Sequence, residues 1–148
     1  MSKIIVLGIG NRLMMDDGIG IYLVEELMKH AEETDVQYIV GESDIDYCLH
    51  VIEDATVVII LDAVISGNEP GELKVYSLDN LNIVHSLDLS VHNLHLFQVL
   101  YQLKESVHGY VIGITPHKIE FNIGLSELIE KRWAYIVQNV KDVMKQLT

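Results

Sequence analysis

Basic side chains are scarce in this chain of 148 residues. Lysine and arginine together number 10 against 22 aspartates and glutamates, which gives a net charge of −12. A protein with this balance repels the phosphates of nucleic acids and the anionic headgroups of membranes. We therefore expect no nucleic acid and no membrane as a partner, and we favour a partner that carries a cation or a basic patch.

Cysteine is also nearly absent, and no apolar run is long. Cys48 is the only cysteine in the sequence, which excludes a disulfide framework and a thiolate metal cluster. No apolar stretch approaches the roughly 20 residues that a membrane-spanning helix needs. The apolar run after Lys3 ends at Gly8 and is too short for the core of a signal peptide, so we expect a cytoplasmic protein.

The apolar residues that are present alternate between strand-like runs and segments of helical period. A length of 148 residues with 49% hydrophobic side chains suits one domain, residues 1–148, with a single core. The alternation is typical of an α/β domain. It predicts strands at 4–7, 36–40, 57–61, 73–77 (an edge strand) and 110–114, and helices at 17–32, 45–53, 92–103 and from a cap at Ser126 onwards.

Two adjacent aspartates, Asp16 and Asp17, stand at the start of the first predicted helix, after a strand and a glycine loop. A glycine turn that leads into a helix usually presents backbone N–H groups to an anion. Here the same place carries its own negative charge, which predicts that it repels phosphate and attracts a cation or a polarised carbonyl. In the alternative interpretation, one aspartate caps the helix and the other favours the positive end of its dipole.

Three polar features fall at or near the carboxyl ends of strands, where open α/β sheets bind ligands. They are the aspartate pair after the first strand, Asp62 after the third, and His92 at the start of a later helix. An aspartate after five apolar residues is costly to bury without a partner. We predict that Asp17, Asp62 and His92 form a metal site with open positions, and this donor set suits nickel, zinc or manganese. Taken singly, Asp62 could be a turn residue and His92 a histidine that faces solvent.

Two further histidines give weaker signals. His95 shares a helix face with His92 and could be a second ligand, although a surface or packing role fits it better. His117 follows the last predicted strand and is a remote candidate for a neighbour of the site.

The motifs resemble those of a known family. The segment 8–20, with Gly8-Ile9-Gly10-Asn11, Leu13 and Asp16-Asp17-Gly18-Ile19-Gly20, resembles the opening motif of the NiFe-hydrogenase maturation endopeptidases. Other segments resemble later parts of that family in the same order: Leu61-Asp62-Ala63, Pro70-Gly71, Ser90-Val91-His92, Ile112-Gly113-Ile114 and Ile123-Gly124-Leu125-Ser126. The chain departs from the family in having Asp17 where glutamate is frequent, and an acidic loop at 41–44 where small residues are usual.

The resemblance implies a three-layer α/β/α sandwich around a central, mostly parallel sheet of five strands. It implies an aspartyl-type endopeptidase that trims a C-terminal extension from the hydrogenase large-subunit precursor once nickel is inserted. The precursor is then the partner, and the divalent metal, nickel, arrives with it. Asp17, Asp62 and His92 fall on the family's metal contacts. Asp16 falls on the acidic residue beside them, which we expect to orient the loop or assist proton transfer.

Two other functions match parts of the pattern. Phospho-accepting receiver domains also place an acidic pair after the first strand and an aspartate after the third, as Asp16, Asp17 and Asp62 do here. However, a glycine loop separates the pair from its strand, and no lysine stands directly before a proline after the fifth strand. Dinucleotide-binding domains share the opening Gly8-Ile9-Gly10, but Leu13 occupies the third glycine position.

Overall fold

The computed structural model describes residues 3–31, 35–77 and 107–148. Five strands in these ranges form one sheet: β1 (Ile4–Ile9), β2 (Val36–Glu42), β3 (Val57–Ala63), β4 (Leu73–Ser77) and β5 (His108–Ile114). The strand order is β2-β1-β3-β5-β4. The first four strands in that order are parallel, and β4 pairs antiparallel with β5 at the edge. The predicted mostly parallel five-stranded sheet is confirmed.

Helices connect and cover these strands. A 3-10 helix at Met15–Gly18, here called the aspartate turn, follows β1 and leads directly into α1 (Ile19–Lys29). The other described helices are α2 (Ile45–Val51), α3 (Glu127–Lys131) and α4 (Trp133–Leu147). The predicted first helix is therefore two elements, and the predicted last helix is interrupted at Arg132, whose φ of −97° and ψ of 5° lie outside helical values. The predicted helix at 92–103 lies outside the described residues.

Apolar side chains from the two faces of the sheet form two separate clusters. On one face, α1 and α4 pack over Val6, Ile59 and Ile112. On the other, α2 packs over Leu7 and Ile60. Successive residues of a strand point to opposite faces, so a strand that is covered on both sides reads as a continuous apolar run. The predicted α/β/α layering is confirmed for the described residues.

Three strands, β1, β2 and β3, end two residues later than the sequence pattern predicts. β3 continues to Ala63, so Asp62 lies inside the strand and not directly after it. The extension follows from pairing, because Asp62 stands opposite Gly113 of β5 and Ala63 opposite Ile114. A charged residue can thus complete a strand when its backbone groups are paired on the neighbouring strand.

Gly20 allows α1 to approach the sheet closely. A Cβ at this position would collide with the backbone oxygens of Leu61 and Ile9. We expect Gly20→Ala to destabilise the protein by about 1–3 kcal/mol, because overpacking against backbone outweighs the better helix propensity of alanine. Urea unfolding followed by circular dichroism measures the change. Met28→Ala, at a half-exposed position of the same helix, should change stability much less, and equal stability of Gly20→Ala and wild type would contradict this packing.

Candidate functional site

The aspartate turn is fixed at the carboxyl edge of the sheet. It lies against β3, and Asp62 is the second-last residue of that strand. Because β1 and β3 run parallel, both strands end at this edge. Gly10 precedes the turn with φ of +139°, and a side chain there would collide with the backbone oxygen of Asp17. Glycine is required at position 10 because it alone combines this backbone angle with such close approach.

Asp16 is fully buried, and its carboxylate accepts four hydrogen bonds. Oδ1 accepts from the backbone N of Ser126 at 2.7 Å, and Oδ2 accepts from the Ser126 hydroxyl at 2.7 Å. Oδ2 also accepts from the backbone N of His117 at 2.9 Å and of Lys118 at 2.8 Å. Donors from one segment, 117–126, therefore occupy both oxygens. Of the two roles expected for Asp16, this geometry favours the orientation of the loop.

Asp17 is in a different environment although it is the next residue. Its side chain is half-buried, and its Oδ2 accepts one hydrogen bond from the backbone N of Asn11 at 3.1 Å. Desolvation by burial raises the pKa of Asp17, and the bond from Asn11 opposes part of that rise. A carboxylate that has lost water without gaining a full set of donors is favourably placed to bind a cation.

Asp62 is fully buried within β3. Its Oδ1 accepts a hydrogen bond from the backbone N of the next residue, Ala63, at 2.8 Å. The sequence pattern predicted Asp62 directly after the strand, whereas it lies within the last two residues of β3 and is buried there. Asp17 and Asp62 belong to neighbouring elements at one edge of the sheet.

The third predicted ligand, His92, lies outside the described residues, as does His95. Within residues 3–31, 35–77 and 107–148, no three histidine, cysteine, aspartate or glutamate side chains are arranged to hold a metal ion. The site formed by Asp17, Asp62 and His92 therefore stays a prediction. Asp17 and Asp62, the two predicted carboxylate ligands, lie in the described part of the chain.

Two residues differ from their sequence-based interpretation. Ser126 occupies the N-cap position of α3, but its side chain makes no capping hydrogen bond and donates to Asp16 instead. His117 has an exposed side chain and contacts Asp16 through its backbone N. Sequence reasoning missed both links because a serine before an acidic helix start is typical of a cap, and a backbone donor leaves no signal in the residue type.

The glycine loop after β1 is not arranged to bind a dinucleotide phosphate. Backbone N–H groups that would cradle a pyrophosphate are already engaged. Gly10 N donates to the backbone carbonyl of Glu42 at 3.0 Å. Asn11 N donates to Asp17 Oδ2 at 3.1 Å, and Leu13 N donates to Asn11 Oδ1 at 2.9 Å. The dinucleotide-binding alternative is not supported by this geometry.

The sheet also differs from that of a receiver domain. Receivers have an all-parallel doubly wound sheet in the order 2-1-3-4-5. Here β5 follows β3 in the sheet, and the edge strand β4 is antiparallel. An aspartate near the carboxyl end of the third strand is therefore shared, but the surrounding architecture is not.

A groove of about 480 Å³ opens beside Asn11, between loop 10–13 and loop 42–44. Ser43 Oγ donates to the Gly10 oxygen at 3.0 Å, and Asp44 caps α2 by accepting from Tyr47 N at 3.0 Å. Because Asn11 N donates to the Asp17 carboxylate, this acidic loop borders the candidate site.

Large apolar side chains are also exposed next to the aspartate turn. Phe121 is 81% exposed and Ile123 is 73% exposed. Asn122 stands between them. Its backbone N–H donates to the backbone carbonyl of Leu13 at 2.8 Å, and its own backbone carbonyl accepts from Met15 N at 3.0 Å. Apolar groups held in water beside a polar site are typical of a surface that contacts another protein.

A family model described as hydrogenase maturation protease matches residues 21–143. The chain belongs to the hydrogenase maturation protease family. Membership makes it a hydrolase of the protease class and confirms the family that the motifs predicted. The matched range begins after the aspartate turn, so the assignment of Asp16 and Asp17 depends on the geometry described above. No described helix of this family member is both long and apolar enough to span a membrane.

Individual relatives cover almost the same length. The hydrogenase 2 maturation protease of Escherichia coli is 29% identical over 134 residues, which is 86% of this chain and 82% of that protein. The coenzyme F420 hydrogenase subunit delta of Methanothermobacter thermautotrophicus is 29% identical over 150 residues, or 95% of this chain and 94% of that one. The solved structure of the hydrogenase maturating endopeptidase HybD from Escherichia coli has the same fold, with a TM-score of 0.80 at 24% identity over 99% of this chain and 93% of that chain.

Removal of the Asp17 charge should stabilise this protease at neutral pH. Burial raises the folded-state pKa above its ordinary value of 3.8, so ionisation of Asp17 destabilises the folded state. That cost is absent below the unfolded pKa and develops as the pH rises through the folded pKa. Asp17→Asn keeps an acceptor for Asn11 N, and its Tm should exceed that of wild type at neutral pH.

Scanning calorimetry over the acidic and neutral pH range tests whether Asp17→Asn raises the Tm. The gain in Tm should vanish as the pH falls below the ordinary value of 3.8. Asp54→Asn, at an exposed position after α2, is the control and should show no gain. A lower Tm for Asp17→Asn at neutral pH would mean that the ionised carboxylate stabilises the fold.

Proposed function

We propose that this chain is an endopeptidase that removes a C-terminal extension from the large-subunit precursor of a NiFe-hydrogenase and recognises the nickel in that precursor. One observation carries the proposal. Asp17, half-buried with one hydrogen bond from Asn11, lies on a turn packed against β3, which holds the buried Asp62. Membership of the hydrogenase maturation protease family supports the reaction class.

Nickel is part of the substrate in this proposal. Asp17 and Asp62 supply two carboxylate oxygens, and His92 supplies an imidazole nitrogen, a mixed set that nickel accepts. A site with three protein donors leaves positions open for groups of the precursor. The ion then serves as a recognition handle, and it can polarise the scissile carbonyl or activate a water molecule beside it.

The surroundings of the two carboxylates suit a protein substrate. The groove between loops 10–13 and 42–44 is open beside Asn11. Phe121 and Ile123 expose apolar surface next to the aspartate turn. We propose that the precursor chain occupies the groove and that its folded part contacts the apolar side chains. Asp16, whose oxygens are filled by internal donors, orients the turn and takes no part in proton transfer.

Asp62→Asn should abolish cleavage of the nickel-loaded precursor. The amide keeps the size of the side chain but loses the charge that binds the ion, and a loss of at least ~100-fold in rate is expected, since weaker changes around metal ligands already cost 10–100-fold. Mass spectrometry of the precursor over time measures the rate. Asp46→Asn, at an exposed position of α2, is the control, and cleavage by Asp62→Asn at the wild-type rate would rule out the assignment.

The nickel itself should determine which precursor is cleaved. Wild-type protease is expected to process nickel-loaded precursor and to leave nickel-free precursor intact, because the carboxylates then have no cation to bind. His92→Ala should process neither form at an appreciable rate. Initial rates on the two precursor preparations, with nickel content measured by elemental analysis, decide the point, and equal rates on both would refute recognition through the metal.

A further inference from the structure

Ser126 stands at a helix start but uses its hydroxyl elsewhere. It has the extended backbone of an N-cap residue, with φ of −63° and ψ of 156°, and makes no side-chain bond to α3. Instead, its hydroxyl and its backbone N both donate to Asp16 at 2.7 Å. Both residues are nearly inaccessible, at 2% for Ser126 and 0% for Asp16. The chain therefore forgoes a common helix cap in favour of a buried bond to the aspartate turn.

The bond from the Ser126 hydroxyl is one of four hydrogen bonds from neutral donors to the Asp16 carboxylate. The four groups that contact the Asp16 carboxylate are three backbone N–H groups and one hydroxyl, from Ser126, His117 and Lys118. Bonds of this kind to a carboxylate are stronger than those between neutral groups. The hydroxyl is the one donor of the four that a substitution can remove without a change in backbone.

The same segment also bonds to the backbone of the turn that carries Asp17. Met15 has a left-handed φ of +51°, a conformation that persists only when its surroundings hold it. The backbone N of Met15 donates to the backbone carbonyl of Asn122 at 3.0 Å. The backbone N of Asp16 donates to the backbone carbonyl of Lys118 at 3.2 Å. Segment 117–126 thus holds the turn through its backbone as well as through Asp16, and Asp17 follows directly.

We propose that Ser126 is a positioning residue for the cleavage reaction and acts through Asp16 on the placement of Asp17. The catalytic part of this inference rests on the function proposed above. The structural part, that the Ser126 hydroxyl sets the position of the Asp17 carboxylate, does not.

Kinetics on nickel-loaded precursor test the catalytic part. Ser126→Ala removes the hydroxyl and should lower kcat/KM by about tenfold, the lower end of losses for groups that orient metal ligands, mainly through a higher KM. Ser126→Thr keeps the hydroxyl and should restore most of the activity. Where Ser126→Ala does not fold, Ser126→Cys replaces it, since a thiol is a weak donor and should shift KM in the same direction.

Thr56→Val is the matched control for stability. It removes a hydroxyl that accepts from Lys3 N at 2.6 Å, at the start of β3 and the opposite edge of the sheet. We expect a lower Tm and an unchanged KM. An unchanged KM for Ser126→Ala, or an equal rise in KM for Thr56→Val at equal loss of Tm, would overturn the positioning role.

The amide resonance of Asn11 tests the structural part without any reaction. Its N–H donates to Asp17, so its position in a ¹H–¹⁵N spectrum reports where that carboxylate lies. Ser126→Ala should shift this resonance, while Ser126→Thr and Thr56→Val should leave it near its wild-type position. If wild type fails to cleave nickel-loaded precursor, the proposed function fails, and the Asn11 resonance still decides the inference. An unshifted Asn11 resonance in Ser126→Ala would overturn it.

Discussion

The buried carboxylate of Asp16 is the interaction on which the geometry of the site depends. Its partners lie 101, 102 and 110 residues further along the chain, so it joins the first loop of the fold to the segment that precedes the last two helices. A charge removed from water is tolerated only when its lone pairs are satisfied. Segment 117–126 must therefore fold back onto the aspartate turn, and the turn gains a defined place against β3.

Asp16 and Asp17 show how adjacent identical residues acquire different properties. Asp16 receives four donors and is saturated, whereas Asp17 receives one and has a raised pKa. The difference comes from the sharp backbone of the turn, where Met15 has positive φ and successive side chains diverge. One carboxylate is used to hold the turn together, and the other is left able to bind a cation.

The elements that position the site could be read largely from periodicity. Continuous apolar runs predicted the doubly covered strands β1 and β3, and the rule that parallel strands share a carboxyl edge predicted that Asp17 and Asp62 lie at one edge. The extent of β3 could not be read in this way, because it depends on pairing of Asp62 with Gly113. The hydrogen bond from Ser126 to Asp16 also could not be predicted from the residues around Ser126. A serine before an acidic helix start satisfies the rule for a cap, and the competing acceptor lies 110 residues away.

Partial desolvation of Asp17 offers a physical reason why such a protease would distinguish loaded from unloaded precursor. Burial disfavours the ionised carboxylate in the free enzyme, and water cannot fully relieve that cost at a half-buried site. A cation delivered by the substrate relieves it directly, whereas a precursor without the ion leaves it in place. Under the proposed function, the environment of Asp17 therefore contributes to discrimination in addition to the ligand bonds. A fully solvated pair of aspartates would hold the same ligands but would discriminate less, because water would already satisfy them before the substrate arrived.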